Sequence, residues 1–338
     1  MQVVNPDTPQ ADSFELHHLP DPVPAPGHVI IDVSGAGVNR ADLLQIAGHY
    51  PPPPGAPMWP GLEVSGVVSA IGPGSRWRVG DEVVALLDGG GYATKAAVAD
   101  AQVLPAPPGV PLVDAAALPE AACTVWSTLS AARLAPGEWL LVHGGSGGVG
   151  SFAVQLGKAL GAHVATTAGG PERAARCAAL GADLVIDHRS EDFVEVLHER
   201  VPGGVDVVLD VVGAAYLDRN LDVLAVEGRL AVIGLQQGSR AELDLGRLLS
   251  RRLTVLGTTL RSRPPEQKAE IVAQVLRHVW PLVAGGQVRP VVHDRIPLSR
   301  AYDAHRMLAS GAAFGNVVLT PDRGPSQQPD QQPDLQQD

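Results

Sequence analysis

The sequence predicts an α/β fold in two parts, a barrel-like antiparallel β domain followed by a doubly wound parallel sheet. Three observations carry that prediction. Up to about residue 118 the chain is rich in Pro and Gly and holds short β-type runs divided by turn signals. From about Ala115 onward, short continuous apolar runs alternate with stretches whose apolar residues recur at helical spacing. A Gly145-x-Gly147-x-x-Gly150 pattern marks the first junction between such a strand and such a helix.

Taken in order, "HVIIDVSGAGV", "EVSGVVSAIG", "DEVVALL" and "YATKAAV" read as strands of the first domain. The second and third of these are joined by a Gly-rich turn and a polar loop. "AGHYPPPPGAP", Ala47 to Pro57, sets Tyr50 directly before four prolines. Proline fixes φ and removes a donor, so Pro51 to Pro54 form a stiff extended support. In the second domain, "EWLLVHG" is a strand and "GVGSFAVQLGKALG" a helix. "HVATTAG" is the next strand and "PERAARCAALGA" the next helix, with Pro171 near its first turn. "DLVIDH", "VDVVLDVVG", "GRLAVIGL" and "LTVLGTTL" continue the series. Strands apolar along their whole length and separated by helices imply a parallel sheet covered on both faces. After Leu260, "PPEQKAEIVAQVLRHVWPLVAGGQV" reads as one long helix. A strand, a helix and a strand then return to the first domain. The expected division is 1–118 with 262–320, then 119–261, and a disordered Gln-, Pro- and Asp-rich tail over 321–338.

Composition excludes several classes. Thirty-six acids against twenty-five Lys and Arg give a net charge of −11. With no basic cluster, this argues against nucleic acid and anionic membrane as partners. Two cysteines cannot form a disulfide framework or a four-thiolate zinc lobe. The N-terminus lacks the pattern of a signal peptide, and no apolar run reaches the roughly 20 residues that span a bilayer. A cytoplasmic location is expected.

The glycine pattern has a physical reading because a strand precedes it and a helix follows. It provides a tight turn at Gly145, close backbone approach to a pyrophosphate at Gly147 and Gly148, and tight packing at Gly150. The alternative is a Gly-rich turn without ligand. The second strand ends "HVATTAGGPERAAR", with no acid at its tip and with Arg173 and Arg176 just beyond. An acid there would bond ribose hydroxyls, whereas a guanidinium pairs with a 2′-phosphate. NADPH is therefore the expected cofactor, and NADH a weaker one. Arg173 also reads as a solvated helix residue.

The segments "AGVNRADLLQIAGHYPPPPG", "GLEVSGVV", "VGDEVVALL", "LPEAACTVWSTL", "HGGSGGVG" and "GRLAVIGL" occur in this order. From about Val29 to Leu319 the chain resembles the medium-chain dehydrogenase/reductases. Within them it is similar to the zinc-independent NAD(P)H quinone oxidoreductases, and to the NADPH-dependent group that includes the p53-inducible human member. That resemblance implies a GroES-like β-barrel catalytic domain, a Rossmann domain, and a nicotinamide in the cleft between them.

The resemblance also implies roles for single residues. Zinc alcohol dehydrogenases of the superfamily carry a ligating Cys where this chain has Asn39, and "GHE" where it reads Gly61-Leu62-Glu63. With Cys and His absent, too few ligands remain for zinc, and no metal is expected. Ser146, Gly147, Gly148 and Val149 should contact the pyrophosphate, and Gly170 and Arg173 the 2′-phosphate. His188 falls where relatives hold Tyr or His near the adenosine, though it also reads as an ordinary loop histidine. Gly234 and Leu235 should face the nicotinamide. Asn39 and Thr124 should line the cleft, Thr124 being otherwise an ordinary helix residue. Tyr50 is expected beside the nicotinamide as the catalytic candidate and a cofactor contact, orienting substrate or nicotinamide and able to donate a proton as a neutral phenol. Asp42 is a weaker candidate that could simply cap a helix.

The implied activity is hydride transfer from NADPH to a small quinone. An enone or enoyl acceptor is the alternative within the fold, and a low-turnover dinucleotide-binding redox sensor or structural protein the alternative outside it. The strand in "RRLTVLGTTL" pairs across a dimer in the family, so a homodimer is expected.

Overall fold

The structure, a computed structural model, describes residues 1–5 and 14–322. The strands in chain order are β1 (Gln2–Asn5), β2 (Glu15–His18), β3 (His28–Val38), β4 (Glu63–Ile71) and β5 (Glu82–Leu86). There follow β6 (Lys95–Ala99), β7 (Val103–Pro105), β8 (Trp139–Val142), β9 (His163–Ala168) and β10 (Leu184–Asp187). The last five are β11 (Val205–Asp210), β12 (Leu224–Val232), β13 (Thr254–Gly257), β14 (Val292–Pro297) and β15 (Asn316–Thr320).

Six strands form a wholly parallel sheet in the order β10-β9-β8-β11-β12-β13. Counted from its own first strand, β8, that order is 3-2-1-4-5-6, the Rossmann order. Its strand sequence reverses between β8 and β11, the kind of switch point at whose carboxyl ends open α/β sheets bind ligands. The continuous apolar runs are explained by burial on both faces. Leu140 and Val142 of β8 pack with Val164, Val207 and Leu209 in one core. Leu141, between them, packs with Ala165, Val208 and Leu230 in another.

The other large sheet runs β14-β15-β3-β4-β5-β7, with β6 also pairing β3. Its pairs are antiparallel except β14 with β15, which is parallel and departs from the expected pattern. β3, eleven residues long, is its centre and pairs with three other strands. β15 lies against β3, so the chain does return to the first sheet after the Rossmann part. The β1–β2 pair escaped the sequence analysis.

The single long helix expected after Leu260 is two helices, Pro265–His278 and Trp280–Ala284. Pro281 explains the break. It cannot donate an amide and would clash with the carbonyl four residues back, so it takes a place in the first turn of a new helix. The expected tail lies outside the described residues from 323 onward. Pro321 and Asp322 lie inside them, and Asp322 accepts from the Ser299 amide at 3.0 Å and from the Ser299 hydroxyl. No helix among the described residues is long and apolar enough to cross a membrane.

Candidate active site

The strand β8 ends at Val142, and the loop that follows, starting at His143, enters the helix Gly148–Ala159 at Gly147. The left-handed residue of this turn is Gly144, at φ +74°, and not Gly145. Gly145 is small for another reason, since a Cβ there would overlap the Thr166 side chain. Gly150 likewise packs against the Gly144 backbone. Gly148 abuts Asn316, whose amide would occupy any Cβ, so packing on β15 rather than ligand approach demands that glycine. The Gly315 amide donates to the Ser146 carbonyl at 2.8 Å, which docks the loop on the start of β15. Gly147 differs, with only the Gly144 carbonyl, 3.5 Å away, near its missing side chain. No side chain caps this helix. The amides of its first turn, at Gly148 and Val149, have no acceptor within the helix and suit a pyrophosphate.

At the other end of the expected cofactor site the structure corrects the sequence reading. The Arg173 guanidinium is committed elsewhere, donating to the carbonyls of Ala313 at 2.8 Å, Ala312 at 2.9 Å and Gly311 at 2.5 Å. These carbonyls follow the helix Ala301–Ala309, so Arg173 satisfies a helix end instead of awaiting a phosphate. Arg176 lies over the Phe314 ring, 3.7 Å from its centre. The Gly170 amide is also committed, to Asp187 Oδ1 at 2.8 Å. That bond, with one from the Arg189 amide, holds the Asp187 carboxyl below its usual range. The cation that does approach is Arg189, whose Nη1 stands 3.5 Å from where a Gly170 Cβ would be. Its guanidinium has no hydrogen-bond partner among the described residues. His188 is beside it, with Nε2 3.1 Å from the same point on Gly169.

At the expected cleft, Asn39 and Thr124 are brought together through two carboxyls. Asn39 Nδ2 donates to Glu63 Oε1 at 2.7 Å, and the Glu120 amide donates to Glu63 Oε2 at 2.9 Å. Thr124 Oγ1 lies 3.4 Å from Glu120 Oε1. Burial pushes Glu63 and Glu120 up to about 8 each. Glu63 is fully buried, while Glu120, though ringed by protein, keeps part of its surface open. Asp42 reaches back to the Asn39 amide at 2.8 Å at the start of the helix Arg40–Ile46. It therefore caps its own helix, and also accepts from the Gly61 amide at 2.9 Å and the Tyr92 hydroxyl at 3.2 Å. With these partners and full burial, which raises it to about 6, Asp42 is structural rather than catalytic.

Tyr50 is half-buried, and its hydroxyl lies 3.2 Å from Thr259 Oγ1, on the segment leaving β13. The Tyr50 carbonyl accepts from Arg261 Nη1 at 3.2 Å. Gly234 and Leu235 follow β12, Gly234 packing against Val211 and Leu235 standing 57% exposed.

Two family models match this chain, the alcohol dehydrogenase GroES-like domain over residues 25–108 and the zinc-binding dehydrogenase over 148–277. The human quinone oxidoreductase is 30% identical over 306 residues, covering 88% of this chain and 90% of that one. The chain belongs to the zinc-independent medium-chain dehydrogenase/reductases. The phthioceranic/hydroxyphthioceranic acid synthase of Mycobacterium tuberculosis is 34% identical over 321 residues, 92% of this chain. The chain spans only 15% of that synthase's length. The crystal structure of Escherichia coli quinone oxidoreductase complexed with NADPH superposes with a TM-score of 0.83 and 29% identity, covering 95% of this chain and 99% of that one. The CurK enoyl reductase gives 0.84 and 25%, with 95% and 99% covered.

In this medium-chain dehydrogenase/reductase the positions compared above with zinc ligands, Asn39 and Leu62, carry no thiol or imidazole. Asn39 is bonded to Glu63, and Leu62 is buried. Among the described residues no three His, Cys, Asp or Glu side chains are gathered as a metal centre requires. Sequence reasoning missed Arg189, Glu120, Thr259 and Arg261. The pair His188-Arg189 at a strand end was a readable signal for the first. Nothing local in the sequence marks the other three.

Proposed function

We propose that the chain is an NADPH-dependent reductase that delivers a hydride to a small quinone without a metal. The observation that carries this reading is the Asn39–Glu63–Glu120–Thr124 chain of hydrogen bonds. It fills the place of a zinc site with a self-satisfied polar cluster, and leaves Tyr50 as the hydroxyl donor of the cleft. The open first turn at Gly147–Val149 fits the pyrophosphate, and Arg189 with His188 fits a phosphorylated adenosine end. A reduced nicotinamide, when bound, supplies the hydride. The protein's own residues position the acceptor: Tyr50 orients the carbonyl oxygen and, as a neutral phenol, can donate to it as charge develops there. Asn39, Thr124, Gly234 and Leu235 complete the walls. The NADPH-bound relative and the human quinone oxidoreductase support this choice.

A second reading is favoured by one observation, the equal structural likeness to an enoyl reductase. There the hydride would go to a conjugated C=C bond. The deciding experiment follows NADPH and NADH oxidation with 1,4-benzoquinone and 9,10-phenanthrenequinone against crotonyl thioesters and alkenals. Turnover confined to the thioesters and alkenals would replace the first reading with the second. Cofactor binding without turnover on any of them would leave a redox sensor. A homodimer belongs to the same proposal. β13 is an edge of the parallel sheet, and Val255 on it and Leu249 before it are exposed at 39% and 77%. Light scattering that finds a monomer at micromolar concentration would remove that part.

A further inference from the structure

Arg261 is only 4% exposed, yet it lies where three segments distant in sequence meet. Its Nε donates to the Asp88 carbonyl at 2.7 Å, its Nη2 to Gln45 Oε1 at 2.8 Å and its Nη1 to the Tyr50 carbonyl at 3.2 Å. The guanidinium carbon also stands 5.4 Å from the centre of the Tyr50 ring, within cation–π range. Lys268, 2% exposed, braces the same point, donating to Asp88 Oδ1 at 2.5 Å and to the Arg261 carbonyl at 3.3 Å.

Two buried cations are a costly way to join loops. Desolvating each costs several kcal/mol before its partners compensate, and apolar side chains of similar size would often pack as stably. The planar fork of Arg261 does something they could not, because it holds one turn at both its backbone and its ring. The segment carrying Arg261 also carries Thr259, which meets the Tyr50 hydroxyl. One segment therefore grips Tyr50 at hydroxyl, ring and carbonyl. Pro51 to Pro54 stiffen the chain on the far side.

We propose that Arg261 is the positioning residue of the Tyr50 site, fixing the carbonyl and ring of Tyr50 so that its hydroxyl stands at a set place in the cleft. This rests on the reading of Tyr50 as the group that meets the acceptor. A purely structural brace would lower stability without any special link to Tyr50, so the test reads coupling.

The experiment compares Arg261→Lys, Tyr50→Ala and the double variant with the parent protein. It measures thermal midpoint, NADPH Kd by nicotinamide fluorescence, and kcat and KM for 9,10-phenanthrenequinone. Arg261→Lys keeps a cation and loses the fork. It is expected to lower kcat/KM for the quinone about tenfold or more, as misplacement of a reacting group does. In Arg261→Lys the NADPH Kd should stay within about twofold, because Arg261 lies outside the residues proposed to hold the pyrophosphate and adenosine end, Gly147–Val149, His188 and Arg189. On the Tyr50→Ala background the same change should cost less than about threefold, the mark of coupled residues. Unchanged quinone turnover in Arg261→Lys, or costs that multiply fully, overturns the proposal. Unchanged turnover in Tyr50→Ala alone overturns the underlying reading of Tyr50, and the proposal with it. Should Arg261→Lys fail to fold, Gln45→Leu removes one acceptor of the fork and must show the same coupling. Independent effects there overturn the proposal equally.

Discussion

The hydroxyls of Tyr50 and Thr259 meet at 3.2 Å although 209 positions separate them in the chain. The contact ties a proline-stiffened turn of the barrel part to the segment leaving the last Rossmann strand. If Tyr50 orients the acceptor, Tyr50→Phe keeps the ring and its contact with Arg261 and removes only the donor. Quinone kcat/KM should then fall about tenfold or more, in line with the loss of a hydrogen-bond donor to developing charge. Thr259→Val should cost less, about fivefold, the equivalent of one neutral hydrogen bond of about 1 kcal/mol. Steady-state kinetics on both folded variants, with NADPH Kd as the control, would expose an error if Thr259→Val proved the more damaging.

Much of the fold was legible because it follows from periodicity. Leu140, Leu141 and Val142 are all apolar because alternate residues enter opposite cores, and that pattern is visible without a structure. The break before Trp280 is also written in the sequence, as Pro281. The site was less legible, for a different reason. Arg173 and Arg189 both stand just beyond strand ends, and sequence spacing alone favoured the first. What separates them is the set of carbonyls at Gly311–Ala313, about 140 residues on, which satisfies Arg173 and leaves Arg189 unclaimed. Arg261 shows the same limit. A buried arginine is defined by its acceptors, and these came from Gln45, Tyr50 and Asp88.

The exchange of roles between these arginines is open to direct test. Arg189→Ala should raise the KM for NADPH about tenfold or more and change that for NADH little, since a charge-assisted bond to phosphate contributes about 1.5–3 kcal/mol. Arg173→Ala should leave the NADPH/NADH preference where it is. Its cost should appear in thermal unfolding, as a fall of about 3 °C or more from carbonyls left without donors. A selective NADPH defect in Arg173→Ala, with Arg189→Ala unaffected, would falsify the assignment.

The glycines of the loop divide in the same manner. Gly148→Ala drives a methyl group into the Asn316 amide, which itself donates to the Ala117 carbonyl at 2.8 Å. The variant should lose stability, by about 1–3 kcal/mol as overpacking does, along with any effect on the cofactor. Gly147 has room, so Gly147→Val should fold with little change in midpoint and bind NADPH poorly. Thermal shift with and without NADPH separates the two. Normal NADPH stabilisation of a folded Gly147→Val would remove Gly147 from the cofactor site.

The buried acids and histidines set opposite slopes on stability as pH changes. Burial raises Glu63 and Glu120 from 4.5 to about 8, so the folded state binds protons more tightly than the unfolded chain between those values. Stability from this source is complete below 4.5 and falls as pH rises through 8. Asp42, raised from 3.8 to about 6, adds to the lower part of that fall. Burial holds His143 and His305 down to about 4, so their contribution is complete above 6.5 and is lost as pH drops from 6.5 toward 4. The two trends oppose each other below 6.5, and above it the acids act alone, so the midpoint should decline between pH 6.5 and 8. Glu120→Gln keeps an acceptor for Thr124 and removes one of the two raised carboxyls. It should flatten that decline and shift the slope between pH 5 and 6.5 toward a rise, because the histidines then meet one opposing carboxyl fewer. Midpoints by calorimetry at pH 5, 6.5 and 8 decide it: a Glu120→Gln profile parallel to the parent's above pH 6.5 would mean that Glu120 already titrates as an ordinary surface acid.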